Sequence, residues 1–290
     1  MSNTPLGPVA ALVSSCTWAY ATARYTLASR EVSPVRVSFV RMLVATPLWI
    51  VAALVTGASL HGVTPRSLGI LGGSTLFSYA LADSVFFAAA SIIGVSSALA
   101  IASTYPLWAA LEGTLVQGEP FGWARACGTL LCAGGVAAII KLGVKEGERA
   151  TRRVSGLLLA VAASLMWAGN AVAIKIGAVD LDLAFVGAYR YAVALCILGV
   201  FVLLGRAPGP TRPQRGWLPL VPAILADCVL GTGCFVYALT HTDLAVGATL
   251  TSLAPLVSLP VALWLRVDKL TPAKLAAVAT TVAGAILVSQ

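Results

Sequence analysis

Long apolar segments separated by short breaks constrain this chain more than any other feature of its sequence. Each segment is about 20 residues long, the length of an α-helix that crosses the hydrocarbon layer of a bilayer, whereas a barrel strand needs only about ten residues. Hydrophobic residues make up 59% of the 290 residues and charged residues 10%. An ordinary soluble domain has about 25% charged residues. We therefore expect an all-α integral membrane protein.

The breaks contain turn-forming and charged residues and divide the chain into ten predicted membrane-spanning helices. The most polar break, residues 142–154, lies at the centre of the chain. We assign residues 1–142 to a first five-helix repeat, 143–154 to a polar linker and 155–290 to a second five-helix repeat. The predicted spans are 7–27, 34–56, 68–90, 94–116, 121–141, 155–177, 182–204, 217–239, 244–266 and 272–289.

The two halves of the sequence repeat each other at a constant offset of 149 residues. Because each predicted half has five helices, an odd number, the second half must enter the membrane from the opposite side. This predicts two inverted repeats, which in transporters place the substrate site between the halves near the middle of the bilayer. The aligned pairs include Trp18 with Trp167, Arg41 with Arg190, Pro106 with Pro255, Ser103 with Ser252, Gly135 with Gly284, and Glu119 with Asp268.

Several of these repeated positions carry a resemblance to a known family. The matching features are Trp18 and Trp167, Arg41 and Arg190, Gly118-Glu119 with Asp268, and a helix rich in small residues at the end of each half. In these features the whole chain resembles the EamA-type members of the drug/metabolite transporter (DMT) superfamily, in which two EamA repeats form ten helices. The resemblance implies transport, with export of amino acids or related metabolites, and termini in the cytoplasm.

The stretch from residue 79 to residue 112 carries two carboxylates inside apolar segments, which we expect to form two helices joined by a turn near Ile93–Gly94. A carboxylate in this setting is costly, so it usually marks a pathway or a binding site. Aromatic residues share a helix face with each carboxylate by their spacing. The predicted substrate-binding residues here are Tyr79, Asp83, Tyr105, Trp108 and Glu112. The alternatives are a structural pair for Asp83, with Arg41, Arg190 or backbone, and snorkelling of Glu112 to the interface.

The second half supplies further candidates for substrate binding. Asp227 lies near the middle of its predicted span, and the following Gly231-Thr232-Gly233 either loosens the helix or simply permits close packing. Trp18 and Trp167 lie deep in their spans, where each indole lines a cavity or fills the core. Asn170 shares a face with Trp167 and adds a hydrogen-bond donor and an acceptor.

Other repeated polar residues are better candidates for scaffold roles. We expect Arg41 and Arg190 to bond carbonyls at helix ends of the neighbouring half, with binding of a substrate carboxylate as the alternative. Glu119 and Asp268 precede the next helices, where they can cap free N–H groups and offset the helix dipole.

Several function classes are disfavoured by the sequence. The net charge of +8 comes from lysines and arginines that fall mainly between the apolar segments, so we expect orientation in the membrane rather than nucleic-acid binding. The six cysteines lie inside apolar stretches without a C-x-x-C pair, which favours reduced packing residues. The chain has no metal-binding, catalytic or nucleotide-binding motif, so we expect no cofactor and no enzymatic activity.

The main hypothesis is a multi-pass secondary transporter of the cell membrane that exports a small polar metabolite, such as an amino acid or an amine, by alternating access. Asp83 and Asp227 are also candidates for proton exchange. The alternatives are a facilitator for an anionic or neutral solute, a drug-efflux carrier and, more distantly, a lipid-modifying membrane enzyme. A monomer suffices for transport, with an oligomer left open. The positions of the basic breaks predict both termini outside, opposite to the implication of the resemblance.

Overall fold

A computed structural model gives the structure of residues 6–105, 107–108, 122–142, 150–241, 250–251, 253–265 and 271–288. Every regular element within these ranges is helical, as the sequence predicts. Five helices are long and apolar enough to cross a membrane: Pro34–Thr56, Pro65–Ile93, Val154–Gly177, Leu183–Leu203 and Leu218–His241. The total of ten spans remains a prediction.

The helices of the first half are α1 (Leu6–Ser29), α2 (Pro34–Thr56), α3 (Pro65–Ile93), α4 (Val95–Ala102) and α5 (Trp123–Leu142). Those of the second half are α6 (Ala150–Gly177), α7 (Leu183–Leu203), α8 (Leu218–His241), α9 (Ala254–Trp264) and α10 (Pro272–Val288).

The observed helix ends can be compared with the predicted turn, span and linker at three places. The expected turn near Ile93–Gly94 is present, and Gly94 adopts a φ of +85° that a side chain would disfavour. Helix α4 ends at Ala102, so the predicted span 94–116 is not one continuous helix, and residues 109–116 lie outside the described residues. Helix α6 begins at Ala150, so the last five residues of the predicted linker 143–154 are helical.

Helix-capping interactions explain where several helices begin and end. Thr64 and Ser67 form a reciprocal capping box at the start of α3. Asp182 caps α7 by accepting hydrogen bonds from the backbone N–H groups of Ala184 and Phe185. Gly57 ends α2 in the left-handed conformation. These caps satisfy backbone groups where the apolar segments end.

The two halves pack against each other in matching pairs. Helix α1 packs on α8 as α6 packs on α3, and α1 contacts α9 as α6 contacts α4. Helix α2 packs on α7, its own counterpart, and α5 packs on α10. In the described part of the chain, the main contacts between the halves thus have equivalent contacts made by the corresponding helices.

Small residues permit these close contacts, and alanine is the commonest residue in the buried core. At the contact of α2 with α7, a side-chain carbon at Gly187 would collide with the Trp49 ring, at 2.3 Å. Near the other end of the same contact, a side-chain carbon at Gly199 would lie 3.7 Å from Phe39. The start of α7 therefore meets the end of α2, and the two helices run antiparallel.

An unusual feature interrupts α3 and α8 at equivalent places. Residues Leu76–Ala82 and Leu225–Gly231 form π-helical segments of seven residues each, and the two segments are separated by the same 149 positions as the repeats. The backbone N–H groups of Asp83 and Thr232 reach back five residues, to the carbonyls of Ser78 and Asp227. Such π-segments are rare and occur frequently at functional sites.

Candidate functional site

Three charged side chains meet at the centre of the molecule, between α2, α3 and α8. Arg41 donates from Nη1 to Asp83 Oδ2 at 2.7 Å and from Nη2 to Asp227 Oδ2 at 2.6 Å. All three residues are buried, with exposures of 4% for Arg41, 6% for Asp83 and 5% for Asp227. We call these three residues the central triad. One guanidinium and two carboxylates give it a net charge of −1 when both carboxylates are ionised.

Aromatic and polar neighbours surround the central triad. The guanidinium carbon of Arg41 lies 4.5 Å from the centre of the Tyr25 ring and 5.1 Å from that of Phe87, which stabilises the cation. The indole N–H of Trp167 donates to Asp83 Oδ1 at 3.1 Å. The thiol of Cys228 donates to Asp227 Oδ2 at 3.4 Å. The site is therefore held by side chains from both halves.

Arg190 occupies the position in the second half that Arg41 occupies in the first, but its surroundings are neutral. It is 1% exposed, and its shortest hydrogen bond runs from Nη2 to Asn170 Oδ1 at 2.6 Å. Its other acceptors are hydroxyl groups, each at 3.4 Å: Thr75, Ser78 and Tyr79. Among the described residues, no carboxylate forms an ion pair with Arg190.

Arg41 and Arg190 lie at equivalent positions of the two halves, but the side chains that they bond carry different charge. At the 149-residue offset, Asp227 aligns with Ser78, so the Arg41–Asp227 contact corresponds to the Arg190–Ser78 contact. The expectation that these arginines bond carbonyls at helix ends is wrong. Both reach across to the other half, as expected, but they bond side chains there, because the interrupted helices α3 and α8 present polar side chains at the centre.

A cavity of about 90 Å³ lies beside the central triad, large enough for several water molecules or a small solute. Seven of the nine predicted substrate-binding residues line it: Trp18, Tyr79, Asp83, Tyr105, Trp167, Asn170 and Asp227. Further polar and aromatic lining residues that the sequence reasoning did not select for substrate binding are Thr22, Tyr25, Ser78, Phe86, Phe87, Ser103, Thr232, Phe235 and Thr251. Thr22 and Tyr25 could have been predicted from the sequence, because their spacing places them on the same face of α1 as Trp18.

The remaining predicted site residues lie elsewhere. Trp108 is not among the described lining residues, and its indole N–H donates to Ser164 Oγ at 3.0 Å. Tyr105 and Trp108 both follow the turn at residues 103–104 that ends α4, and of these two only Tyr105 is among the described lining residues. Three predicted residues lie outside the described residues: Glu112, Glu119 and Asp268.

Asp227 lies at the same level as Asp83, because both carboxylates bond the same guanidinium. In α8, Gly231 ends the π-segment and also packs closely, because a side-chain carbon there would lie 2.5 Å from Thr17 Oγ1. Glycine does not explain the π geometry itself, since Leu76–Ala82 contains none.

Comparison with known proteins places these features in a family. The sequence model of the EamA-like transporter family matches residues 5–141 and again residues 154–290. The chain belongs to the EamA-like transporter family. The two matches are separated by the same 149 residues as the internal repeat. This EamA-like protein is thus a membrane transporter of the DMT type with a two-repeat architecture, and its family consists of transporters rather than enzymes.

A comparison with solved structures supports the fold. One crystal structure, described only as that of a protein, shares 20% sequence identity with this chain and superposes with a TM-score of 0.73. The alignment covers 99% of each chain. No curated protein matches the chain at a significant level. In the described part of the chain, no three histidine, cysteine or acidic residues cluster as metal ligands would.

Proposed function

We propose that this protein is a multi-pass secondary transporter of the cell membrane that exports a small ammonium-bearing metabolite, such as an amino acid or an amine, in exchange for protons. The central triad is the observation that carries the proposal, because it combines a net charge of −1 with a location beside a buried cavity. A buried net charge is costly. One additional positive charge, from a substrate ammonium group or from a proton, would compensate it.

This charge balance supplies a mechanism for coupling. With one compensating charge the triad region is neutral, whereas a proton and an ammonium group together would leave an excess positive charge in a low-dielectric site. The two cations therefore compete for the same compensating role. A carrier that binds either one, but not both, exchanges them across the membrane, so proton entry drives export of the substrate.

The aromatic lining suits the same solute. Arg41 already occupies faces of Tyr25 and Phe87, but Trp18, Tyr105 and Trp167 also line the cavity. Indole and phenol rings attract an ammonium group through their negative faces and also cover apolar parts of a substrate. We assign the substrate-binding role to the predicted residues that line the cavity, with Trp108 and Glu112 retained as candidates on sequence grounds alone.

We further propose that the ten predicted helices form two inverted repeats and that alternating access exposes the cavity to each side in turn. The antiparallel contact of α2 with its counterpart α7 supports the inversion. The paired π-segments support a moving part at the repeat interface, because α3 and α8 depart from regular α-helical geometry beside the cavity. Rocking of one repeat against the other is the usual form of such motion.

A second candidate is a facilitator for an anionic or neutral solute. The observation that favours it is Arg190, a buried cation whose contacts in the described residues are all neutral. In that case the substrate would carry the compensating negative charge, and transport would compete with carboxylates rather than amines.

The test uses purified protein in liposomes loaded with a pH-sensitive dye, screened against the amino acids and a panel of primary amines. We expect substrate-dependent proton movement in the wild type and its loss in Asp83→Asn and Asp227→Asn, because each variant removes the excess negative charge. Asp180→Asn is the matched control, since Asp180 lies in the turn after α6, outside the cavity. Unchanged rates and unchanged proton coupling in both cavity variants would refute the carboxylate mechanism.

A further inference from the structure

We infer that Asn170 and Ser78, turned toward the cavity by Arg190, form a subsite for the carboxylate of the substrate, so that the cavity selects zwitterions over simple amines. This inference deepens the proposed function and rests on it. It concerns the residues around Arg190, which the triad mechanism does not use.

The orientation of Asn170 follows from hydrogen-bond chemistry. A guanidinium carries only donors, so the amide oxygen of Asn170 must face Arg190, which it does at 2.6 Å. The amide nitrogen, Nδ2, then faces away from Arg190. Asn170 is 8% exposed and lines the cavity. Within the described part of the chain, Nδ2 has no hydrogen-bond partner.

Ser78 is oriented by the same argument. Its hydroxyl oxygen accepts from Arg190 Nη2 at 3.4 Å, which leaves the hydroxyl hydrogen available to another acceptor. Ser78 also lines the cavity. Arg190 itself stands behind these groups, with its guanidinium carbon 4.7 Å from the centre of the Tyr79 ring. The cavity wall therefore presents two oriented donors backed by a buried positive charge, a combination that fits a carboxylate.

The two charged regions are close enough for one small solute. Trp167, which bonds Asp83, and Asn170, which bonds Arg190, are three residues apart on α6, a rise of about 4.5 Å along the helix. The groups that would hold an ammonium and a carboxylate thus line one cavity and are attached to neighbouring turns of one helix. An α-amino acid carries both an ammonium and a carboxylate, whereas an amine lacks the second group and an ester lacks its charge.

The experiment measures binding to the purified wild-type protein by thermal shift and calorimetry. Its probes are the amino acids, each compared with its methyl ester and with its decarboxylated amine. We expect the best amino acid to bind about 10- to 100-fold more tightly than either analogue, the range of a charge-assisted hydrogen bond. In Asn170→Asp, a carboxylate would pair with Arg190 and replace the donor, so we expect this preference to disappear while the amine still binds.

A second pair of variants keeps the test decisive if Asn170→Asp does not fold. Ser78→Ala removes a cavity donor, and we expect it to lower the preference for the amino acid about 3- to 10-fold. Thr75→Val removes another Arg190 contact but not a cavity-lining group, and we expect no change in the preference. Equal effects of these two variants would show a merely structural role and overturn the inference.

The outcomes separate the two proposals. If the wild type binds amines and amino acids equally, the carboxylate subsite is refuted and the ammonium proposal stands. If it binds carboxylates that lack an ammonium group as tightly as the amino acids, the carboxylate subsite is supported and the ammonium proposal fails. If the preference for amino acids survives in both Asn170→Asp and Ser78→Ala, the assignment to these two residues is wrong.

Discussion

Replacing Arg41 by methionine should destabilise the protein strongly, because it leaves two buried carboxylates without their cation. Breaking a buried pair by removal of one partner costs about 3–5 kcal/mol, and Arg41 also contacts two aromatic rings at 4.5 and 5.1 Å, each worth about 0.5–1 kcal/mol. We expect a total loss of about 4–7 kcal/mol. At about 2–4 °C per kcal/mol, the melting temperature should fall by about 8–28 °C.

Thermal unfolding of the detergent-purified protein, followed by intrinsic fluorescence, measures this loss. Arg190→Met is the matched comparison, since it removes a buried arginine with only neutral partners among the described residues, and we expect it to cost about 1–3 kcal/mol. The triple variant Arg41→Met, Asp83→Asn, Asp227→Asn should recover most of the stability. The reasoning is refuted if Arg41→Met is no worse than Arg190→Met, or if neutralising both carboxylates restores nothing.

Two other predictions concern packing and orientation. Gly231→Val should lower the melting temperature by several degrees, because the new side chain would meet Thr17 and overpacking costs about 1–3 kcal/mol. Gly169→Ala should leave the melting temperature nearly unchanged, because Gly169 faces open space. Equal effects of the two variants would contradict the packing argument. The positions of the basic breaks predict that both termini lie outside the cell. A cysteine placed at Gln290, in a variant without native cysteines, should therefore react with an impermeant reagent on intact cells. Protection of that cysteine would support the opposite orientation.

The sequence was a good guide to features that depend on one segment or on the repeat. The apolar lengths predicted the helices of the described part within a few residues, except in the predicted spans 94–116 and 244–266, where α4 ends at Ala102 and α9 begins at Ala254. The constant offset of 149 residues located both arginines and both tryptophans, and the cost of a carboxylate in an apolar segment identified Asp83 and Asp227. These inferences needed no knowledge of which helices touch.

The partners of those residues depend on contacts between the halves, which no local pattern reports. Arg41 was expected to bond carbonyls. Its pair with Asp83, in the same half, confirms an alternative that the sequence offered, whereas its bond to Asp227 on α8 of the other half was not predicted. Regular helical spacing also fails where the helix is interrupted. The turn at residues 103–104 lies between α4 and the two following aromatic residues, Tyr105, whose hydroxyl bonds Thr251, and Trp108, whose indole N–H donates to Ser164. The first π-segment and this turn contain no glycine or proline, and the second π-segment contains a glycine only at its last residue, Gly231.

The matching π-segments at Leu76–Ala82 and Leu225–Gly231 also carry a record of ancestry. Because a π-turn spans more residues than an α-turn, a one-residue insertion in a helix would produce such a segment. A single insertion that preceded the duplication of an ancestral half accounts for both, whereas two independent insertions would have to coincide in position. That ancestor would have had to pair with a second copy to make the contacts now formed between the halves. The difference between Asp227 and Ser78, which sets the charge around each arginine, then arose after the copies were fused.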